Sequence, residues 1–385
     1  MCFSGNTILS SVSKMTPHTT RFPLCVLTCN PRVNTSENLH FALVTLGARG
    51  DMIANRYRLE KFIGRGGFGE VWRARDTHRS YDVALKLVLN RDRRATWHEA
   101  SLLTALRSEH ILEVNNADVS VDVPYLDTAL AACSLDARAM PTGVEPGLAV
   151  DWTRRALRGL DLCHRVRLLH RDIKPHNIFL TAAGDAKLGD FGTACLMDPD
   201  GTGDISGDPQ IQAPEFFQGG RASVASDIYA MACTLYALVT GRFPYAGIAL
   251  QADLEAAIIA GDHPHVRDLA PHVSMALADK IRTGMAKDPA QRFASAAAFD
   301  NALALPTRNR HIAPIAVHQG HLRCWTVTGS GSDLHVCLLP GNAAKRVAIE
   351  TRRHPSGRRI RDHCLDTSER DAAKRLRAVF DALRS

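Results

Sequence analysis

The chain has 385 residues, of which 45% are apolar and 23% charged, with a net charge of +7. That length exceeds one small core and implies two or three domains of ordinary globular composition. No apolar run approaches the roughly 18 residues needed to span a bilayer, so a membrane anchor is not expected and a cytoplasmic location is. Residues 1–51 are rich in Ser, Thr, Asn and Pro and hold no sustained period. They are expected to be an irregular extension, or a start placed too early, since Met52 stands just before the first strand-like segment. The apolar patches at 22–27 and 41–46 lie away from the start, so a secretory signal is not expected. The ten cysteines include no Cys-x-x-Cys pair, and Cys25 and Cys29 lack a second ligand pair. Reduced thiols are therefore expected, rather than a disulfide framework or a zinc site.

From Tyr57 to Ile63 the side chains alternate as in a strand. The run Gly64-Arg65-Gly66-Gly67-Phe68-Gly69-Glu70-Val71 follows. Glycines so spaced also open dinucleotide-binding helices, but that reading wants a helix next and an acid about 20 residues on. Instead, residues 71–74 and 83–86 read as two further strands. A glycine turn between strands lets backbone amides approach phosphate oxygens, and Lys86, in an apolar strand, would hold the α- and β-phosphates. Residues 98–106 form a helical stretch that carries Glu99, either a partner for a cleft cation or a solvated helix charge. Residues 117–139 should hold two more strands and a hinge, although Pro124 and Asp127 interrupt the run from Val121 to Leu130. Asp151 to Arg165 reads as a helix with Trp152, Ala156, Leu157, Leu160 and Leu162 on or near one side.

Next comes His170-Arg171-Asp172-Ile173-Lys174-Pro175-His176-Asn177, and shortly after it Asp190-Phe191-Gly192. Phosphoryl transfer needs a carboxylate for the acceptor hydroxyl, a cation on the moving group and oxygen ligands for magnesium. Asp172, Lys174 and the pair Asn177 and Asp190 offer these in turn; the plain alternative for the two aspartates is surface turn acids. With these motifs the sequence resembles the eukaryotic-type (Hanks-type) serine/threonine protein kinases over residues 56–305.

The resemblance implies an α+β bilobal kinase fold, with a β-rich N-lobe and a helical C-lobe, in a domain spanning 52–305. It implies an ATP- and magnesium-dependent phosphotransferase acting on Ser/Thr hydroxyls of protein substrates. Asp172, Lys174 and Asn177 would be catalytic, with Asn177 and Asp190 on the metal. Ile63, Gly64, Gly66, Gly69, Val71, Ala84, Lys86, Glu99, Phe179 and Asp190 would bind the nucleotide, Phe179 beneath the adenine. Glu99 would pair with Lys86 across a separation short for the family, and Leu103 would pack toward Phe191 and His170. Glu215 would pair with Arg292, and Asp227 would brace the catalytic loop.

One departure is Asp208, which stands where the family carries Thr. It would pair with Lys174 or repel Asp172, and it keeps an ATP-binding pseudokinase or scaffold as the alternative. Arg171 precedes the catalytic aspartate, so autophosphorylation on Thr193, Thr202 or Ser206 would order the activation segment, unless Asp198, Asp200 and Asp204 already supply the charge. Cys195, just past Asp-Phe-Gly, is either a redox sensor or an unremarkable small side chain.

Residues 306–385 are expected to form a basic C-terminal accessory α+β appendage. Strand-like runs occur at 323–327, 334–339 and 347–349, and a helix from Glu369 to Leu383 has Leu376, Val379, Phe380 and Leu383 on one face. Residues 345–385 hold 12 Lys and Arg against 6 Asp and Glu. Arg352, Arg353, Arg358, Arg359 and Arg361 form a basic turn, read either as a nucleic-acid or phosphoprotein recruiting patch or as a solvated charge-rich turn. Few aromatics interleave these arginines, which counts against single-strand binding.

Overall fold

The computed structural model describes residues 45–66, 69–88, 106–306 and 309–384. Glu99, Leu103 and their helical stretch up to residue 105 lie outside the described residues, as do residues 1–44. The N-terminal lobe is a six-stranded antiparallel sheet in the order β1 (Met52–Ile53), β2 (Tyr57–Gly66), β3 (Gly69–Asp76), β4 (Tyr81–Val88), β6 (Tyr125–Ala129), β5 (Val114–Asp118). Period-two alternation divides its faces. Val83, Leu85 and Leu87 are buried with Leu59, Trp72 and Ala74. Ala84 and Lys86 therefore point the other way, and Val71 lies directly opposite Lys86 in the ladder.

Asp127 does not interrupt its strand. Its carboxylate is buried in β6, where Tyr57 Oη donates to it at 3.0 Å and Asn115 Nδ2 at 3.1 Å. A buried acid is tolerated when its lone pairs are met. Burial pushes its pKa up, against those hydrogen bonds.

The short strands β7 (Cys133–Ser134), β8 (Leu168–Leu169), β9 (Ile178–Leu180), β10 (Ala186–Leu188) and β11 (Cys195–Leu196) lead into and thread the helical lobe, which begins with α1 (Leu135–Ala139) and α2 (Pro146–Arg165). The second starts five residues earlier than the sequence pattern implies, because the Glu145 side chain caps Leu148 N and Pro146 takes the first turn. Helix α3 (Val224–Thr240) is buried at every residue from Ser226 on, which is why its sequence shows no polar face. A Ser223–Ser226 capping box starts it, and Gly241, at φ +77°, ends it. Helices α4 (Gln251–Ala260), α5 (Val266–Leu269), α6 (Met275–Gly284) and α7 (Ala296–Ala302) complete the lobe. No helix among the described residues is long and apolar enough to cross a membrane.

Beyond it, β12 (Arg310–Ile315), β13 (Arg323–Gly329), β14 (Leu334–Pro340), β15 (Arg346–Arg353) and β16 (Leu365–Ser368) form an antiparallel meander. Helix α8 (Ala372–Arg384) lays Leu376, Val379, Phe380 and Leu383 on Trp325, Val327 and Val336. The first and last strands escaped the sequence pattern, being short edges with mixed polarity.

This sheet and helix dock on the segment around α5. Arg267 reaches Asp381 at 2.8 Å, Arg377 reaches Asp268 at 2.6 Å, and Arg323 Nη1 donates to Leu269 O at 2.7 Å. At the centre, Trp325 Nε1 donates to His272 Nδ1 at 3.2 Å, and both residues are buried. Burial, reinforced by Arg323 and Arg384, drives the His272 pKa from 6.5 down to about 3. The unfolded chain thus takes up this proton near pH 6.5 and the folded chain only near 3. Stability from this contact is complete above 6.5 and is lost as the pH falls toward 3. We expect the wild type to lose up to about 2 kcal/mol more than His272→Gln between pH 6.5 and 5 in urea titrations. Parallel pH profiles of the two proteins would refute this.

Candidate active site

The site forms where β8 (Leu168–Leu169) gives way to a loop that returns as β9 (Ile178–Leu180). A loop in this place leaves backbone N–H groups without ladder partners. Asp227 supplies them: its carboxylate accepts from His170 N at 3.0 Å and Arg171 N at 2.9 Å, and it also meets His164 Nε2 at 2.9 Å. These partners hold its carboxyl below the usual range although burial acts the other way. His170 is buried, which lowers its pKa. As the neutral Nε2–H tautomer it donates to Gly189 O at 3.2 Å and accepts from Asp172 N at 3.4 Å. Arg171 takes φ +67° and Asp190 φ +54°, left-handed positions that cost a non-glycine residue energy and concentrate at functional sites.

Held in this way, Asp172 is 9% exposed and its carboxylate faces three donors. Asn177 Nδ2 donates to its Oδ2 at 2.9 Å, Lys174 Nζ stands 3.1 Å from the same oxygen, and Asp208 N donates to Oδ1 at 3.0 Å. Asp208 pairs with Lys174 at 3.3 Å, the first of the two arrangements that its sequence position allows. Burial would lower the Lys174 pKa, but Asp172 and Asp208 outweigh it and hold the ammonium charged. Gly207 precedes Asp208 at φ +95°, and a Cβ there would stand 2.1 Å from Arg171 O, so only glycine admits this approach.

Across the cleft Lys86 Nζ donates to Asp190 Oδ1 at 2.8 Å. Desolvation would raise the Asp190 pKa, but Lys86 and His170 bring it below the ordinary value. With its amide nitrogen on Asp172, Asn177 has its amide oxygen left to offer a cation. Carboxylate and amide oxygens are the hard donors that magnesium takes. Ile63, Gly64, Val71, Ala84 and Phe179 are all half-buried. The Phe179 ring lies against Gly189, where a Cβ would meet it at 3.0 Å. Gly66 and Gly69 pair across the β2–β3 hairpin, and a Cβ on Gly69 would meet Leu87 O at 1.9 Å.

The activation segment is organised by a residue that the sequence reading missed. Arg221 pairs with Asp198 at 2.7 Å and Asp204 at 3.0 Å and donates to Thr202 Oγ1 at 2.7 Å. Three acids in a basic chain signal a counter-cation, but not which of 38 arginines supplies it. Arg171 meets main chain instead, donating to Thr193 O at 2.5 Å and Asp204 O at 2.7 Å. The Thr193 hydroxyl is buried and donates to His170 O at 3.0 Å. Arg292, whose side chain is fully buried, forks onto Glu215 at 2.8 and 2.7 Å. For Cys195, burial raises the thiol pKa, which disfavours the reactive thiolate.

A family model described as protein kinase domain matches residues 57–303. The chain is 35% identical over 285 residues to serine/threonine-protein kinase PknD of Mycobacterium tuberculosis, covering 69% of this chain and 42% of that protein. It is 34% identical over 269 residues to serine/threonine-protein kinase PknE of the same organism, covering 66% and 47%. It is 33% identical over 270 residues to PknJ, also a serine/threonine-protein kinase of M. tuberculosis, covering 64% and 45%. The chain thus spans less than half the length of these relatives.

Proposed function

The chain belongs to the protein kinase family, and from that premise we propose that it transfers the γ-phosphoryl group of ATP to serine and threonine hydroxyls of proteins. The observation that carries this reading is the single hydrogen-bonded set of Asp172, Lys174 and Asn177, with the Lys86–Asp190 pair facing it. In this reading the Asp172 carboxylate receives the acceptor proton, and Lys174 meets charge developing on the transferred group. Asn177 and Asp190 would hold magnesium, and Lys86 the α- and β-phosphates. Bound ATP and magnesium supply the phosphoryl donor and its charge neutralisation. Half-buried Ile63, Val71, Ala84 and Phe179 would enclose the adenine, with Gly64, Gly66 and Gly69 over the phosphates. We include a cytoplasmic setting, supported by free thiols at Cys133, Cys163, Cys195 and Cys233. At the basic turn, Arg352 and Arg359 both close on Glu350, which draws these two cations away from an outside partner.

The test is transfer from labelled ATP with magnesium, to the chain itself and to a generic protein acceptor, with modified residues mapped by mass spectrometry. Label on serine and threonine, with Thr202 or Ser206 ahead of the buried Thr193, supports the proposal. Bound ATP with no transfer to either acceptor overturns it in favour of a nucleotide-binding switch on the same fold.

Asp208 places an extra carboxylate on Lys174 beside the incoming anionic phosphates. We expect Asp208→Thr to raise turnover a few-fold, roughly the effect of 1 kcal/mol on the barrier, without altering ATP affinity. Lower turnover in steady-state assays would mean that Asp208 instead positions Lys174 for transfer.

A further inference from the structure

The free thiols at Cys324 and Cys337 belong to a cluster outside the kinase site. These residues sit directly opposite each other in the β13–β14 ladder. Pleating turns them away from Trp325, Val327 and Val336, which pack under α8. Their neighbours on that outer face, Thr326 and His335, are half-exposed, yet Cys324 and Cys337 are only 2% and 6% exposed. The connection from β12 to β13 covers them.

That cover has little apolar reason to stay down. Its Val317 and Leu322 are 53% and 46% exposed, and the core beneath the helix draws no residue from it. What it directs at the sheet is imidazole. A turn closed by His321 N donating to His318 O at 3.0 Å, with Gly320 at φ +77°, brings both rings over the thiols. His321 Nδ1 lies 3.3 Å from Cys324 Sγ, and His318 Nδ1 lies 3.7 Å from Cys337 Sγ. All four ligand atoms lie within 4.8 Å of one another.

We propose that His318, His321, Cys324 and Cys337 bind a structural zinc ion that staples the β12–β13 connection to the outer face of the C-terminal sheet. Tetrahedral zinc with Zn–S near 2.3 Å and Zn–N near 2.0–2.1 Å gives ligand-to-ligand edges of about 3.4–3.8 Å. The two sulfur–nitrogen distances of 3.3 and 3.7 Å are already at that scale. Two sulfurs and two imidazole nitrogens at tetrahedral spacing select zinc over the hard cations. Binding releases two thiol protons to solvent, and two thiolates with two neutral imidazoles leave the centre uncharged. The ligands are His-x-x-His-x-x-Cys on one segment and a single Cys on the next strand, so the sequence shows no paired-cysteine signature.

The experiment is metal analysis of the full chain, purified without added metal or affinity-tag nickel, together with thiol titration. We expect about one zinc per chain, lost in Cys324→Ser and Cys337→Ser and retained in His354→Ala, a neighbouring imidazole outside the set. Because serine variants can misfold, chelator-stripped wild type is also titrated with cobalt(II). Intense tetrahedral d–d bands with thiolate charge transfer, displaced by zinc, are expected. Metal-free protein with a Cys324–Cys337 disulfide overturns the proposal. So does chelator-stripped protein that is reduced and folded but takes up no cobalt, or zinc that survives both serine substitutions.

Discussion

Asp172→Asn is expected to lower the rate of phosphoryl transfer by about 10²–10⁴-fold, the range over which a positioned general base contributes. The change keeps the side chain's shape but removes its capacity to accept a proton. It also disturbs the site, because all the groups facing this carboxylate are donors: Asn177 Nδ2, Lys174 Nζ and Asp208 N. An amide NH₂ turned to either side meets one of them donor to donor. Nucleotide affinity should change little, since the phosphates would be held by Lys86, which pairs with Asp190 at 2.8 Å. Single-turnover transfer measured beside nucleotide binding checks both halves. Transfer at the wild-type rate would remove Asp172 from the chemistry, and loss of nucleotide binding would show that the substitution acts through the fold.

The second large effect is on stability. Arg292→Ala should destabilise the helical lobe by about 3–5 kcal/mol, as when one partner of a buried ion pair is removed. The guanidinium is fully buried and forks onto Glu215. It also donates to Ala286 O, Ala225 O and Lys287 O, and stacks 4.9 Å from the Tyr229 ring centre. Truncation leaves a carboxylate and three carbonyls without these donors at once. Against a usual total of about 5–15 kcal/mol, that loss sharply lowers the folded fraction. Arg292→Lys should recover only part of it, because an ammonium cannot reproduce the planar fork. Urea titrations of the three proteins decide it; a loss below about 1 kcal/mol for the alanine variant would mean that the pair behaves like a surface ion pair.

What the sequence determined by itself is the chemistry held in short runs. Asp172, Lys174 and Asn177 fall within six residues, so one loop conformation brings them together, and their spacing reads as function without knowledge of the fold. The run Ile228–Thr240 carries no charge, and such a run has few alternatives in water to the buried helix it forms. The Glu215–Arg292 pair follows from the family resemblance rather than from any local rule.

Only the tertiary structure decided the rest. Arg221 among the activation-segment acids, His164 on Asp227 and Trp325 on His272 each join residues far apart in the chain. Their pairing follows from packing, which no local pattern encodes. Asp127 looked like a strand breaker and is a satisfied buried acid, because Tyr57 comes from a strand 70 positions away. The scattered cysteines pointed away from a metal site. Strand register then set Cys324 against Cys337, and a turn laid two histidines over them. Local periodicity fixes which face a residue takes, but the partner met on that face depends on register and docking, which the chain specifies only once its cores have packed.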